Sequence, residues 1–144
     1  MKFNKEQLHN LLPHRDPMLL INDVELIQNG EDILSIAHYT VRGDEFFLQG
    51  HFPNNPVVPG VILCEMMTQA CCVFFIGKET NVDTYLTTLD SVKFKNPVRP
   101  GDTIQLRAKF IKTNRIFTFA SAEALVRDKL VARCELSFAL VPKA

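Results

Sequence analysis

The chain has 144 residues, 47% of them hydrophobic, and its sixteen Lys and Arg are balanced by sixteen Asp and Glu to a formal net charge of zero. That length suits one domain, residues 1–144, with a real core and leaves no room for two. The composition excludes a disordered chain, and the charge balance argues against nucleic acid as a partner, which selects for a basic excess.

The start, Met1 to Gln7, has no apolar signal core, so no secretion is expected. Asn4 to Leu12 reads as a short helix, capped by Asn4 with Gln7 three residues on and stopped before Pro13. Pro13-His14-Arg15-Asp16-Pro17 is a rigid connection, after which Met18 to Ile27 is expected to be a strand. Asn29-Gly30 is a hairpin signal, with Ile33 to Val41 as the returning strand. Phe46 to Gly60, punctuated by Pro53, Pro56 and Pro59, is irregular.

Val61 to Ile76 is the most apolar stretch, with 13 of its 16 residues apolar, but Glu65, Thr68 and Gln69 interrupt it. It is too short and too interrupted to span a membrane, so no membrane insertion is expected and a buried helix is the better reading. Tyr85 to Lys95 is the next strand. Ile104 to Phe110 alternates apolar and polar without a break, and Leu130 to Leu140 holds the same period. Turns at Asn114-Arg115 and Arg127-Asp128-Lys129 make the last three strands a meander. A helix apolar on every side needs enclosure. An antiparallel sheet of about six strands curled around it supplies that, which makes an α+β fold.

The four cysteines, Cys64, Cys71, Cys72 and Cys134, lack metal-ligand spacing and read as buried, reduced thiols of a cytoplasmic protein. Two other residues look chemical. Glu65 lies within the apolar helix, where a carboxylate is costly unless it is paired, faces a cavity or stays neutral. His51 sits in Gly50-His51-Phe52-Pro53, whose prolines downstream limit the chain, and the loop runs straight into the helix that carries Glu65. Pro59-Gly60 opens that helix, whose first N–H groups lack internal partners and form a site for a polarised carbonyl oxygen. Acid, base and oxyanion site are the ingredients for removing a proton next to a carbonyl.

Three stretches carry a resemblance: Leu12-Pro13-His14-Arg15-Asp16-Pro17 through Val24, Gly50-His51-Phe52-Pro53 through Glu65, and Phe94-Lys95-Asn96-Pro97 through Asp102. In order and spacing they resemble the FabZ type of (3R)-3-hydroxyacyl-[acyl-carrier-protein] dehydratases of bacterial fatty acid synthesis. The resemblance implies a hot-dog fold, an antiparallel sheet wrapped around a central helix. It implies that His51 takes a proton from C2 of the substrate and that Glu65 protonates the leaving 3-hydroxyl. It further implies that the Gly60 N–H binds the thioester carbonyl and that the Val57 carbonyl orients the histidine. Histidine and acid come from different subunits in that family, which implies a homodimer as the smallest active unit and a trimer of dimers. Neither a metal nor a redox cofactor is implied. The partner is acyl carrier protein, for which Lys93, Lys95 and Arg99 form a candidate docking group; Met66, Met67, Phe74 and Phe75 are candidate walls of the acyl tunnel. His14 and Arg15 belong to the family opening with a structural role and no catalytic one. The helix reads Cys64-Glu65-Met66-Met67-Thr68-Gln69-Ala70 where the family commonly has Leu-Glu-Ala-Met-Ala-Gln-Ala, a change that touches the tunnel and leaves the acid in place. The alternatives are a dehydratase that also isomerises trans-2 to cis-3 products, a hot-dog thioesterase, and a non-catalytic acyl-binding protein.

Overall fold

The computed structural model describes residues 1–75 and 82–143. β1 (Lys2–Asn4) leads into α1 (Lys5–Leu11), and the Asn4 side chain and Gln7 cap each other's backbone N–H as the spacing predicts. β2 (Asp23–Asn29) and β3 (Asp32–Thr40) form a hairpin in which Gly30, at φ 65°, takes the left-handed turn position. After a single 3₁₀ turn at Phe46–Leu48 comes α2 (Gly60–Cys72), extended by a 3₁₀ turn at Val73–Phe75. β4 (Val82–Phe94), β5 (Thr103–Asn114), β6 (Phe117–Val126) and β7 (Lys129–Pro142) complete the chain. One sheet holds the strands in the order β1-β2-β3-β5-β6-β7-β4, every pair antiparallel.

α2 packs against β3, β5, β6 and β7 at once, and nine of its residues are buried. The inner face of the sheet makes room for it with small side chains. Leu106, Ala124 and Ala132 lie side by side across β5, β6 and β7, and so do Ala108, Ala122 and Cys134. A row of alanines recesses the sheet where the helix presses in, so a bulky helix carrying Met66 and Met67 reaches native packing density without displacing strands. The four cysteines are free and buried along this seam, and burial pushes Cys72 and Cys134 each up to about 12, out of reach of the reactive thiolate form.

Three sequence expectations need correction. The sheet has seven strands, because residues 2–4 pair with β2 before the capping box takes over at Asn4. Residues 18–22 are not strand. Leu19, Leu20 and Ile21 are buried, but the side chain of Gln69 takes the backbone groups a neighbouring strand would have used. It donates to Met18 O at 2.7 Å and accepts from Leu20 N at 2.8 Å. The helix is shorter than Val61 to Ile76, tightening to 3₁₀ after Cys72, and Ile76 itself lies outside the described residues. Among the described residues no helix is long and apolar enough to cross a membrane.

Candidate active site

The loop from Gly50 to Gly60 closes on itself through its backbone. His51 N donates to Leu48 O at 3.0 Å, Val57 N donates to His51 O at 2.9 Å, and Phe52 and Asn55 exchange two bonds of 3.0 Å. This frame fixes the imidazole, because His51 Nδ1 lies 2.9 Å from the Val57 carbonyl oxygen. A carbonyl only accepts, so Nδ1 carries the proton and Nε2 presents a lone pair. The ring also stacks on Phe52, with centroids 4.2 Å apart.

His51 opens onto a cleft of about 590 Å³ whose floor is Val57, Pro59 and Gly60 and whose far wall is Phe94, Lys95 and Asn96. Pro59 caps α2 without any side-chain hydrogen bond, so the helix start faces this cleft with its own N–H groups. The absence of a side chain at Gly60 has a steric cause: a Cβ there would come within 2.9 Å of the Phe94 ring. Phe94 is a wall residue that sequence reasoning left without a role, although it begins the third family-like stretch.

Glu65 is not in that cleft. Five residues beyond Gly60, it lies about 7.5 Å further along the helix and about 140° round its axis. Its surroundings are a second cluster. Gln69 Nε2, one turn on, donates to Glu65 Oε2 at 3.0 Å, and His14 Nε2 lies 3.8 Å from the same oxygen. The side chain is 29% exposed, so the carboxylate in the apolar helix is both paired and partly open to solvent. Burial holds His14 below its ordinary pKa of 6.5; Glu65 and Asp83 oppose that shift and Arg15 adds to it. Gln69 was also without a predicted role; its signal was a second polar residue spaced i, i+4 from Glu65 within an apolar helix.

The remaining candidates divide by position. Lys95 lines the His51 cleft, while Lys93 and Arg99 are exposed near it in sequence, Arg99 donating to Asn55 in the His51 loop. Met66, Met67 and Phe74 are buried in the core, Phe75 packs edge-on against Phe110 and Phe138, and none of the four lines the His51 cleft.

A helix wrapped by one antiparallel sheet, with a backbone-pinned histidine sharing a cleft with the helix start, defines a hot-dog protein. The chain belongs to the FabA-like family, whose domain model matches residues 12–135. It is 36% identical over 142 residues to the 3-hydroxyacyl-[acyl-carrier-protein] dehydratase FabZ of Clostridioides difficile, covering 97% of this chain and 99% of that one. The FabZ of Lactococcus lactis subsp. cremoris (strain SK11) is 41% identical over 142 residues, 97% of this chain and 96% of the relative. Among solved structures, the dehydratase heterocomplex ApeI:P from Xenorhabdus doucetiae superposes with a TM-score of 0.76 at 20% identity, over 92% of this chain and 89% of that one. The E. coli PaaI protein shares the fold more loosely, with a TM-score of 0.60 at 17% identity over 81% and 82% of the two chains.

Proposed function

We propose that this protein, as a single hot-dog domain, dehydrates (3R)-3-hydroxyacyl chains carried on acyl carrier protein to trans-2-enoyl chains in bacterial fatty acid synthesis. The observation that carries the reading is the bond from His51 Nδ1–H to the Val57 carbonyl, which leaves Nε2 as a base at a helix start. His51 Nε2 removes a proton from C2 while the Gly60 N–H stabilises the negative charge gathering on the thioester oxygen. The C2–H electrons form the C2=C3 double bond, the C3–O bond breaks, and Glu65 gives its proton to the departing hydroxyl, which leaves as water. His51 ends protonated and Glu65 ionised; passing the proton from one to the other through solvent restores both.

Within one chain Glu65 does not line the His51 cleft, so the complete site is read as His51 of one subunit with Glu65 of another. β4 supports this. Among the described residues it ends the sheet, unpaired on its outer side, and exposes Tyr85, Leu86, Leu89 and Phe94, while Val61 in the cleft is 75% exposed. A long apolar edge strand in a native protein is covered, and a second copy paired along β4 covers it while bringing α2 of each chain to the other. Three such dimers make the hexamer implied by the family. Lys95 in the cleft, with the exposed Lys93 and Arg99 close to it in sequence, is read as the basic group that attracts an acidic carrier protein to a chain with no net charge. An acyl tunnel along Met66, Met67, Phe74 and Phe75 requires their core packing to open, since none of the four lines the cleft. The reaction is placed in the cytoplasm, with no cofactor.

Subunit mixing tests the whole reading. His51→Ala and Glu65→Gln proteins are each expected to be inactive, and reassembling them together regenerates intact sites in mixed dimers, to about a quarter of wild-type activity for random exchange in a two-fold dimer. Failure of any activity to return from verified mixed dimers would place acid and base in one subunit. Products are read by mass spectrometry and chromatography. Hydrolysis to free carrier thiol without an enoyl product would replace the dehydratase reading with a thioesterase, and a cis-3 product would extend it to isomerisation.

A further inference from the structure

The opening Leu12-Pro13-His14-Arg15-Asp16-Pro17 has no part in the mechanism above, yet the structure spends several bonds on holding it. The Arg15 guanidinium donates to Leu12 O at 2.9 Å and to His14 O at 2.8 Å, which locks the loop between the two prolines. The outcome is the placement of one imidazole. His14 is 18% exposed at its side chain, and its Nε2 points at Glu65 Oε2. Its Nδ1 is fully buried with no hydrogen-bond partner among the described residues. A buried N–H without a partner costs more than a bare lone pair facing apolar surroundings, and a neutral imidazole has one of each. The proton therefore sits on Nε2, directed at Glu65. The charged groups around the ring are Glu65, Arg15 and Asp83, and burial outweighs the two acids in keeping the ring neutral.

Glu65 Oε2 then faces two donors, the Gln69 amide and the His14 N–H, while no described residue bonds Oε1. We propose that His14 is a positioning residue for Glu65, holding Oε2 as the accepting oxygen so that Oε1 alone carries the proton delivered to the substrate hydroxyl. The contact of 3.8 Å is longer than a hydrogen bond. Such contacts in empty sites shorten when substrate binds, and here the acid has only to turn about its last torsion. The inference rests on the dehydratase reading of Glu65 and adds that one of its two oxygens is chosen.

The test compares His14→Phe, which keeps a flat ring but removes the donor, with His14→Gln, whose amide nitrogen reaches the position of Nε2. On a (3R)-3-hydroxyacyl thioester of the carrier protein, His14→Phe is expected to lower kcat roughly ten- to hundredfold through misplacement of the acid. KM and the melting temperature should stay near wild type, because the orphaned Nδ1 is lost as well. His14→Gln should recover most of kcat, and His14→Phe should have no further effect in a Glu65→Gln background. Full kcat in His14→Phe overturns the role, and so does an equal loss in the Phe and Gln variants. Glu65→Gln assayed alongside separates the two levels: if that variant is active, the underlying reading of Glu65 fails, whereas an inactive Glu65→Gln with a fully active His14→Phe removes only the positioning role.

Discussion

The proposed base and the proposed acid of this protein are held in opposite ways. His51 is framed by backbone: its own N–H and C=O are both bonded, and its ring is oriented by the Val57 carbonyl. Glu65 is framed by side chains, the amide of Gln69 and the imidazole of His14. A backbone carbonyl cannot be removed by a point substitution, so the base is insulated from its neighbours' identity. The acid is not, and its reactivity is open to adjustment through residues that never touch the substrate.

That contrast is broken most sharply at His51 and Glu65 themselves. His51→Ala is expected to reduce turnover by at least about a thousandfold, within the range a positioned general base supplies, with an unchanged circular dichroism spectrum because the loop's backbone bonds remain. Near-normal activity in this variant would sink the mechanism. Glu65→Gln should cost on the order of a hundredfold or more with an unchanged elution volume in size-exclusion chromatography, since its partner Gln69 keeps both of its bonds to residues 18–20.

Gln69 sharpens the comparison, since it serves both stability and acid. It is fully buried, and Gln69→Leu leaves Leu20 N–H and Met18 O without their partner. Two unsatisfied backbone groups should cost about 2–4 kcal/mol in urea unfolding, accompanied by lower kcat; a wild-type midpoint would show that water replaces the amide without loss. On the backbone-framed side, Gly60→Ala sets a methyl 2.9 Å from the Phe94 ring. Because that ring is half exposed it can swing away, so a several-fold rise in KM is expected from the narrowed cleft with little loss of stability. Phe94→Ala in the same chain should reverse the rise.

The smallest effect concerns pH. The folded chain holds His14 below its ordinary 6.5, mainly through burial. The unfolded chain therefore takes up a proton that the folded chain refuses as pH falls through 6.5, and stability declines in that window while it is complete above it. His14→Phe removes this term, so its melting temperature should fall less than that of wild type between pH 7 and pH 5. Parallel curves would mean that the imidazole takes up its proton equally in the folded and unfolded chains.

Much of the site was legible because its chemistry is local. The run from Gly50 to Gly60 carries its own turns, histidine and helix start within eleven residues, and the alternation in β5 and β7 follows from a sheet with one buried face. Residues 18–22 were misread for the opposite reason. Their apolar run is what a strand needs, but the partner that takes their backbone is a side chain on a helix some fifty positions away, and no local pattern encodes that.

The sequence by itself determined the fold class, the hairpins and the capped first helix, which rest on periodicity and turn chemistry, and it singled out His51 and Glu65 as the candidate base and acid. Only the tertiary structure decided that Glu65 lies outside the His51 cleft, that Gly60 is bare because Phe94 lies over it, and that His14 and Gln69 converge on a single oxygen of Glu65. These are relations between segments brought together by a helix seated in a recess of alanines, and distances across such a core are set by how side chains pack rather than by how far apart they stand along the chain.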